Sequence, residues 1–138
     1  MKIYFAGSIR GGRQDQALYL ELIGLLAKYG TLLTEHVGDP RVTASNDIEP
    51  DDTRIYKRDM SWLKESDIVV AEVTIPSLGV GYEIAMAENW EKPVLCLFRP
   101  NAGKHLSAML TGNPQLVIKE YTGVEDARTI LADFFQTL

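Results

Sequence analysis

Asp67-Ile-Val-Val-Ala-Glu-Val-Thr-Ile-Pro-Ser-Leu-Gly-Val-Gly-Tyr-Glu83 holds a strand, a turn and the opening of a helix in one short run. Ile68, Val69 and Val70 form an apolar series of the kind a strand buried on both faces requires, and Pro76 stops it. Ser77, Gly79 and Gly81 then make a small, hydroxyl-bearing turn into a helix over about Leu78–Trp90. That reading puts Glu83 in the first helical turn, at the carboxyl end of a strand, where open α/β sheets hold their ligands. A carboxylate beside a glycine-rich anion pocket points to chemistry on a phosphorylated small molecule.

Outward from this segment the same alternation repeats. Lys2–Ala6 is a short apolar strand ended by Gly7-Ser-Ile-Arg-Gly-Gly12. Gln14–Tyr29 carries Leu18, Leu22, Leu25 and Leu26 at helical spacing and stops at Gly30. Thr31–Leu33 is a second strand, and Val37–Asp52, with Gly38 and two prolines, reads as a surface loop or lid. Asp52 or Thr53 caps a helix that runs to Glu65, before the strand Asp67–Val73. After helix 78–90 come a strand at Pro93–Phe98, a loop over Arg99–Gly112 and a strand at Leu116–Lys119. Gly123–Gln136 closes the chain as a helix. Five strands alternating with helices predict an α/β fold, a doubly wound five-stranded parallel sheet of the Rossmann-like or flavodoxin-like kind. The 138 residues read as one domain spanning 1–138.

The bulk numbers narrow the class of function. Fourteen basic against nineteen acidic residues give a net charge of −5, and no basic stripe exists to release counterions from a nucleic acid. A single nucleotide needs only a local anion site. No segment reaches membrane-spanning length, and the first residues lack the apolar core of a signal peptide, so a cytoplasmic protein is expected. Cys96, the one cysteine, sits in Val94-Leu-Cys-Leu-Phe98 and reads as a buried small hydrophobe. Two histidines, His36 and His105, lack metal-ligand spacing, so no metal site is expected. Trp62 and Trp90 read as packing residues.

In a parallel sheet the loops after successive strands emerge at one edge. Gly7–Gly12, Ser77–Glu83 and Arg99–Met109 therefore converge. Glycines let backbone amides approach an anion, serines add donors, and Arg10 supplies positive charge. The Gly7-x-x-x-Gly11-Gly12 spacing is neither the dinucleotide fingerprint nor a Walker loop, and by itself it serves equally to let a strand meet a helix closely. Glu83 can be a first-turn acid favoured by the helix dipole or a reacting carboxylate. Asp59, among Lys57, Arg58, Lys64 and Glu65, can be a solvated helix residue or the second acid that glycosidic cleavage employs.

Several ordered motifs then carry a resemblance. Tyr4-Phe-Ala-Gly-Ser-Ile-Arg-Gly-Gly-Arg13, Asp15-Gln-Ala-Leu-Tyr19, Thr34-Glu-His-Val37, Ala71–Glu83, Lys92-Pro-Val-Leu-Cys-Leu-Phe-Arg-Pro100 and Leu106-Ser-Ala-Met109 resemble the 2'-deoxynucleoside 5'-phosphate N-hydrolases of the nucleoside 2-deoxyribosyltransferase group. The resemblance implies hydrolysis of a deoxynucleoside monophosphate to a free base and 2-deoxyribose 5-phosphate, with no cofactor. It implies that Glu83 is the nucleophile, Asp59 assists the proton at the leaving base, and Tyr4 orients Glu83. Gly7, Ser8, Arg10, Gly11, Ser77 and Gly79 would cradle the 5'-phosphate, and Ile9 and Met109 would line the base site. Ser107 would be a phosphate-binding serine donated by the second subunit of a homodimer, with Met109 reaching across as well. A double displacement further predicts that the closest Glu83 and Asp59 oxygens stand roughly 5 Å apart across the sugar.

Two other functions share these motifs. A nucleoside 2-deoxyribosyltransferase would pass the same intermediate to another base, but a free 5'-hydroxyl is suited by a carboxylate, and no acid lies between Glu91 and Glu120. A nucleotide-binding sensor without catalysis would keep the pocket and has no need of Tyr4, Asp59 and Glu83 together. The Pro-Gly-Gly-x-Gly-Thr signature of the cytokinin-type phosphoribohydrolases is missing from this chain.

Overall fold

A computed structural model of the protein describes residues 1–9, 15–38, 51–100 and 104–138. Five parallel strands form one sheet in the order β2-β1-β3-β4-β5, where β1 is Lys2–Ala6, β2 Thr31–Leu32, β3 Ile68–Glu72, β4 Val94–Phe98 and β5 Val117–Glu120. Helices α1 (Gln16–Leu26), α2 (Asp52–Glu65), α3 (Leu78–Asn89), α4 (Ala108–Thr111) and α5 (Val124–Gln136) occupy the intervals. The expected α/β doubly wound sheet is the observed one. The winding reverses between β1 and β3, whose residues Ile3 to Ala6 pair with Ile68 to Ala71. Open sheets leave their ligand crevice at such a point.

Strand side chains alternate between two cores. Ile3, Phe5, Val70, Leu95 and Leu97 pack with Leu22, Leu26 and Leu131 on the α1 and α5 side. Tyr4, Ala6, Val69, Ala71, Val94 and Cys96 pack with Leu63, Val80, Ile84 and Ala87 on the α2 and α3 side. Every residue of β3 and β4 is buried, which is why their sequences are apolar runs rather than alternating ones, Glu72 at the end of β3 being the one charged exception. Cys96 is fully buried, and burial pushes its thiol up to about 12, so it stays protonated and inert. Trp62 and Trp90 pack against the second core, with the Arg58 guanidinium 5.0 Å from the Trp62 ring centroid.

Some boundaries differ from the sequence reading for local reasons. Helix α1 ends at Leu26, and the chain tightens through bonds from Lys28 N–H to the Leu25 carbonyl and from Tyr29 N–H to that of Leu26. Gly30 is glycine because a Cβ there would lie 2.3 Å from the Met1 carbonyl oxygen. Strand β2 is only two residues long. Its ladder is continued by the buried Thr34 hydroxyl, which accepts from Phe5 N–H at 2.8 Å and donates to the Phe5 carbonyl at 2.7 Å. Asp51, one residue ahead of the expected position, caps α2 by accepting from Thr53 N–H at 2.8 Å. Glu35–Gly38 forms a 3-10 turn, and the rest of the expected 37–52 loop, up to residue 50, lies outside the described residues.

Candidate active site

Ser77 starts the site. Its side chain accepts from Val80 N–H at 3.3 Å and caps α3, so the helix begins at Leu78. Glu83 is therefore the sixth helical residue and sits in the second turn, not the first; the helix dipole is not what places it. One and a half turns from the cap, its side chain points inward beside the sheet, where Tyr4 of β1 waits. The Tyr4 hydroxyl donates to Glu83 Oε1 at 2.7 Å. Asp59, on α2, is near enough to act on the charge of both groups.

Electrostatics separate the roles of the three. Burial pushes the Glu83 carboxyl up from 4.5 to about 7; the Tyr4 hydrogen bond works against that rise and the Asp59 charge adds to it. Burial, with Glu83 and Asp59 beside it, holds the Tyr4 phenol well above its ordinary value, so Tyr4 is a neutral donor. Asp59 accepts from Arg58 Nε at 2.8 Å. The group can supply one carboxylate oxygen fixed by a phenol, the other free to react, and a second acid held by a guanidinium.

Gly7–Ile9, the described start of the loop after β1, lies at the same edge. A Cβ at Gly7 would meet Val37 Cγ1 at 3.0 Å and the Tyr19 ring at 3.1 Å, a tight fit that favours glycine there. Ser8 is fully buried; its N–H donates to the Tyr19 hydroxyl at 3.2 Å, and its own Oγ has no hydrogen-bond partner among the described residues. Ile9 is half-buried against the α1 and α5 core. Arg10 and Gly11 lie outside the described residues. At Gly79 a Cβ would meet nothing closer than Ser77 Oγ at 3.8 Å, which leaves the first amides of α3 open to an approaching group.

Ser107 and Met109 fall elsewhere. Ser107 caps the short α4 by accepting from Met109 N–H at 3.2 Å, and Met109 is 82% exposed. Both line a cavity of about 1210 Å³ on the far side of α3, together with Ser77, Leu78, Gly81 and Ala85. Neither Tyr4 nor Glu83 belongs to its walls, so this cavity is not where the two acids sit. Ser77 touches this cavity at the helix start and is the link between the two faces of α3.

The sequence reading missed the supporting shell. Tyr19 holds Ser8 through its hydroxyl, and Tyr56 of α2 meets Tyr82 of α3 across the outer rim, with hydroxyls 3.5 Å apart. Glu72, Thr74, Arg99, Tyr121 and Asp15 form a further polar cluster. Helical spacing placed Tyr56 one turn from Asp59, a signal that was present; nothing local marked the others. Among the described residues no cluster of three His, Cys, Asp or Glu side chains could hold a metal ion, and no helix is long and apolar enough to cross a membrane.

Comparison with known proteins follows this geometry. The family model described as nucleoside 2-deoxyribosyltransferase matches residues 3–127. A Tetraodon nigroviridis protein named 5-hydroxymethyl-dUMP N-hydrolase is 47% identical over 139 residues, covering 98% of this chain and 97% of its own. A Danio rerio protein of the same name is 46% identical over 141 residues, covering 100% of this chain and 98% of its own. The solved structure of the Clostridium botulinum CMP N-glycosidase BcmB shares the fold, with a TM-score of 0.66 at 18% identity over 97% of this chain and 99% of that one. Matched by that family model over residues 3–127 and 46–47% identical to these relatives over nearly its whole length, this chain belongs to the nucleoside 2-deoxyribosyltransferase family.

Proposed function

We propose that the protein hydrolyses the N-glycosidic bond of 2'-deoxynucleoside 5'-monophosphates, releasing a nucleobase and 2-deoxyribose 5-phosphate. The observation that carries this reading is the 2.7 Å bond from Tyr4 to Glu83 Oε1, which leaves Oε2 to react. In the first step Oε2 attacks C1', the C1'–N bond breaks, and Asp59 delivers a proton to the departing base. In the second, water attacks C1', Asp59 takes its proton, and the carboxylate of Glu83 is released. A deoxyribosyl centre lacks the electron-withdrawing 2'-hydroxyl, so its cation-like transition state is reached with carboxylates alone.

The 5'-phosphate is assigned to Ser8, Arg10, Gly11, Ser77 and Gly79, with Gly7 shaping the loop. The unpartnered Ser8 Oγ and the open first turn of α3 support that assignment. Ile9 and Met109 are assigned to the base. Ser107 and Met109, on the other side of α3 from Glu83, act in the site of a second copy, which makes the working unit a homodimer. Exposed Leu78 and Met109, with the large apolar cavity between them, support this arrangement.

The test is base release, followed by chromatography, from deoxynucleoside monophosphates, their ribose counterparts and the dephosphorylated nucleosides. The names of the two fish relatives make 5-hydroxymethyl-dUMP the first substrate to try. Deoxynucleoside monophosphates are expected to react and the other two classes to lag far behind. Glu83→Ala is expected to lower turnover by at least about a thousandfold while phosphate binding persists. Consumption of an added acceptor base would replace the hydrolase with a transferase, and tight binding without release would leave a sensor. A substrate-bound structure is expected to place the Glu83 and Asp59 oxygens about 5 Å apart.

A further inference from the structure

A second polar cluster lies at the carboxyl edge, apart from the Tyr4, Asp59 and Glu83 group. Glu72, the last residue of β3, is fully buried. Its Oε2 accepts from Thr74 N–H at 3.2 Å, and its Oε1 accepts from the Tyr121 hydroxyl at 3.0 Å and from the Thr74 hydroxyl. Arg99, the first residue after β4, meets this cluster from the other side. Its Nε stands 3.7 Å from Glu72 Oε1, its backbone N–H donates to Thr74 Oγ1 at 2.9 Å, and its guanidinium lies 6.0 Å from the Tyr121 ring centroid. The other end of the guanidinium pairs with Asp15.

Asp15 is the N-cap residue of α1, a position at which aspartate ordinarily bonds the first helical amides, yet it makes no capping bond. Its carboxylate is turned to Arg99 instead. The Arg99 side chain, from the end of β4, thus ties Asp15, which follows the glycine-rich loop after β1, to Glu72, which ends β3 just ahead of the loop that holds Ser77. These are the loops that carry Ser8 and Ser77. Arg99 faces two carboxylates, which leaves it poorly suited to bind a phosphate itself. An ion cluster of this kind, with Glu72 fully buried and Asp15 and Arg99 partly so, is weak evidence for stability, because apolar side chains of similar volume usually serve as well. It does fix geometry, and donors must be held within about half an ångström to recognise a small anion well.

We propose that Arg99 is a positioning residue that sets the spacing between the two halves of the phosphate cradle, with Asp15 and Glu72 as the anchors of its guanidinium. The proposal rests on the phosphate reading of Ser8 and Ser77, and it deepens that reading by naming what holds the two loops in register.

The variants are Arg99→Gln, Asp15→Asn and the double variant, each checked for folding by circular dichroism. Three quantities are read: KM and kcat on a deoxynucleoside monophosphate, and the dissociation constant of inorganic phosphate by calorimetry. Each single variant is expected to raise KM and the phosphate constant together, by about tenfold, with kcat changed less than about threefold. The double variant is expected to be no worse than either single one, because both remove the same link. Arg99→Lys, which keeps the charge and loses the fork, is expected to recover part of the loss. A fall in kcat at unchanged KM and unchanged phosphate binding, as a loss of folded protein would give, overturns the proposal. So do additive losses in the double variant. If Arg99→Gln does not fold, Asp15→Asn alone carries the same prediction. A wild type that binds phosphate but releases no base removes the hydrolase reading, while the ratio of phosphate constants still decides the role of Arg99.

Discussion

Glu83 is held in opposing directions. Burial raises its carboxyl to about 7, and the hydrogen bond from Tyr4 limits the rise. The nucleophile proposed for Glu83 must be ionised, so on that reading Tyr4 does more than aim it. Tyr4→Phe is expected to move the acidic limb of the kcat/KM profile to higher pH, because the group that favours the anion is gone; a limb left in place would remove Tyr4 from this role. The same shift links to stability. A carboxyl whose folded value lies above its ordinary 4.5 favours the folded state fully below about 4.5, and that contribution is lost as pH rises through about 7. Glu83→Gln, neutral at every pH, is expected to melt at a temperature less dependent on pH over this window. At pH 8 it should be more stable than wild type by on the order of 1–3 kcal/mol. Parallel melting curves of the two proteins between pH 4.5 and 8 would contradict this.

Helix α3 shows what an element contributes that a residue cannot. Its start is fixed by Ser77, whose hydroxyl caps the helix and is the same group proposed to meet the 5'-phosphate. Its end is fixed by a Schellman pair: Lys92 N–H bonds the Ala87 carbonyl at 3.0 Å and Glu91 N–H bonds that of Glu88 at 2.8 Å. That motif needs a left-handed residue, and Glu91 fills the place at φ 56°. Glycine pays no Cβ penalty there, so Glu91→Gly is expected to raise stability by about 1 kcal/mol without changing turnover, as read by denaturant midpoint. A lower midpoint would mean that the Glu91 side chain matters more than its backbone. Between its two ends the helix presents Glu83 toward Tyr4 and Gly81 and Ala85 to the large cavity. A single element thereby separates the reacting acid from the surface assigned to a second copy.

At the scale of the molecule, the reversal of winding between β1 and β3 brings the loops after both strands to one crevice. The chain by itself does not bring Ser107 there: Ser107 shares a cavity with Ser77 but not with Glu83. If two copies share sites, two crippled proteins can repair each other. Glu83→Ala mixed with Ser107→Ala is expected to regain activity toward about a quarter of wild type, since half the random dimers each hold one intact site. Activity equal to the sum of the separate variants would leave Ser107 in its own chain or out of the reaction.

The order of strands and helices was legible in the sequence because each element is encoded by neighbours: apolar runs for β3 and β4, Ser77 and Pro76 for the break between β3 and α3. The family was legible too, through motifs that keep their order along the chain. The placement of Glu83 by helical turn was not, since a shift in the counted start of α3 changes the turn, and only the Ser77 cap fixes it. Nor was the meeting of Tyr4 with Glu83, 79 positions apart, or of Asp15 with Arg99, 84 apart. Such contacts depend on which strands become neighbours and which face of the sheet each side chain takes. A local pattern fixes the face relative to its own strand; only packing of the whole sheet, in the order β2-β1-β3-β4-β5, decides what stands opposite.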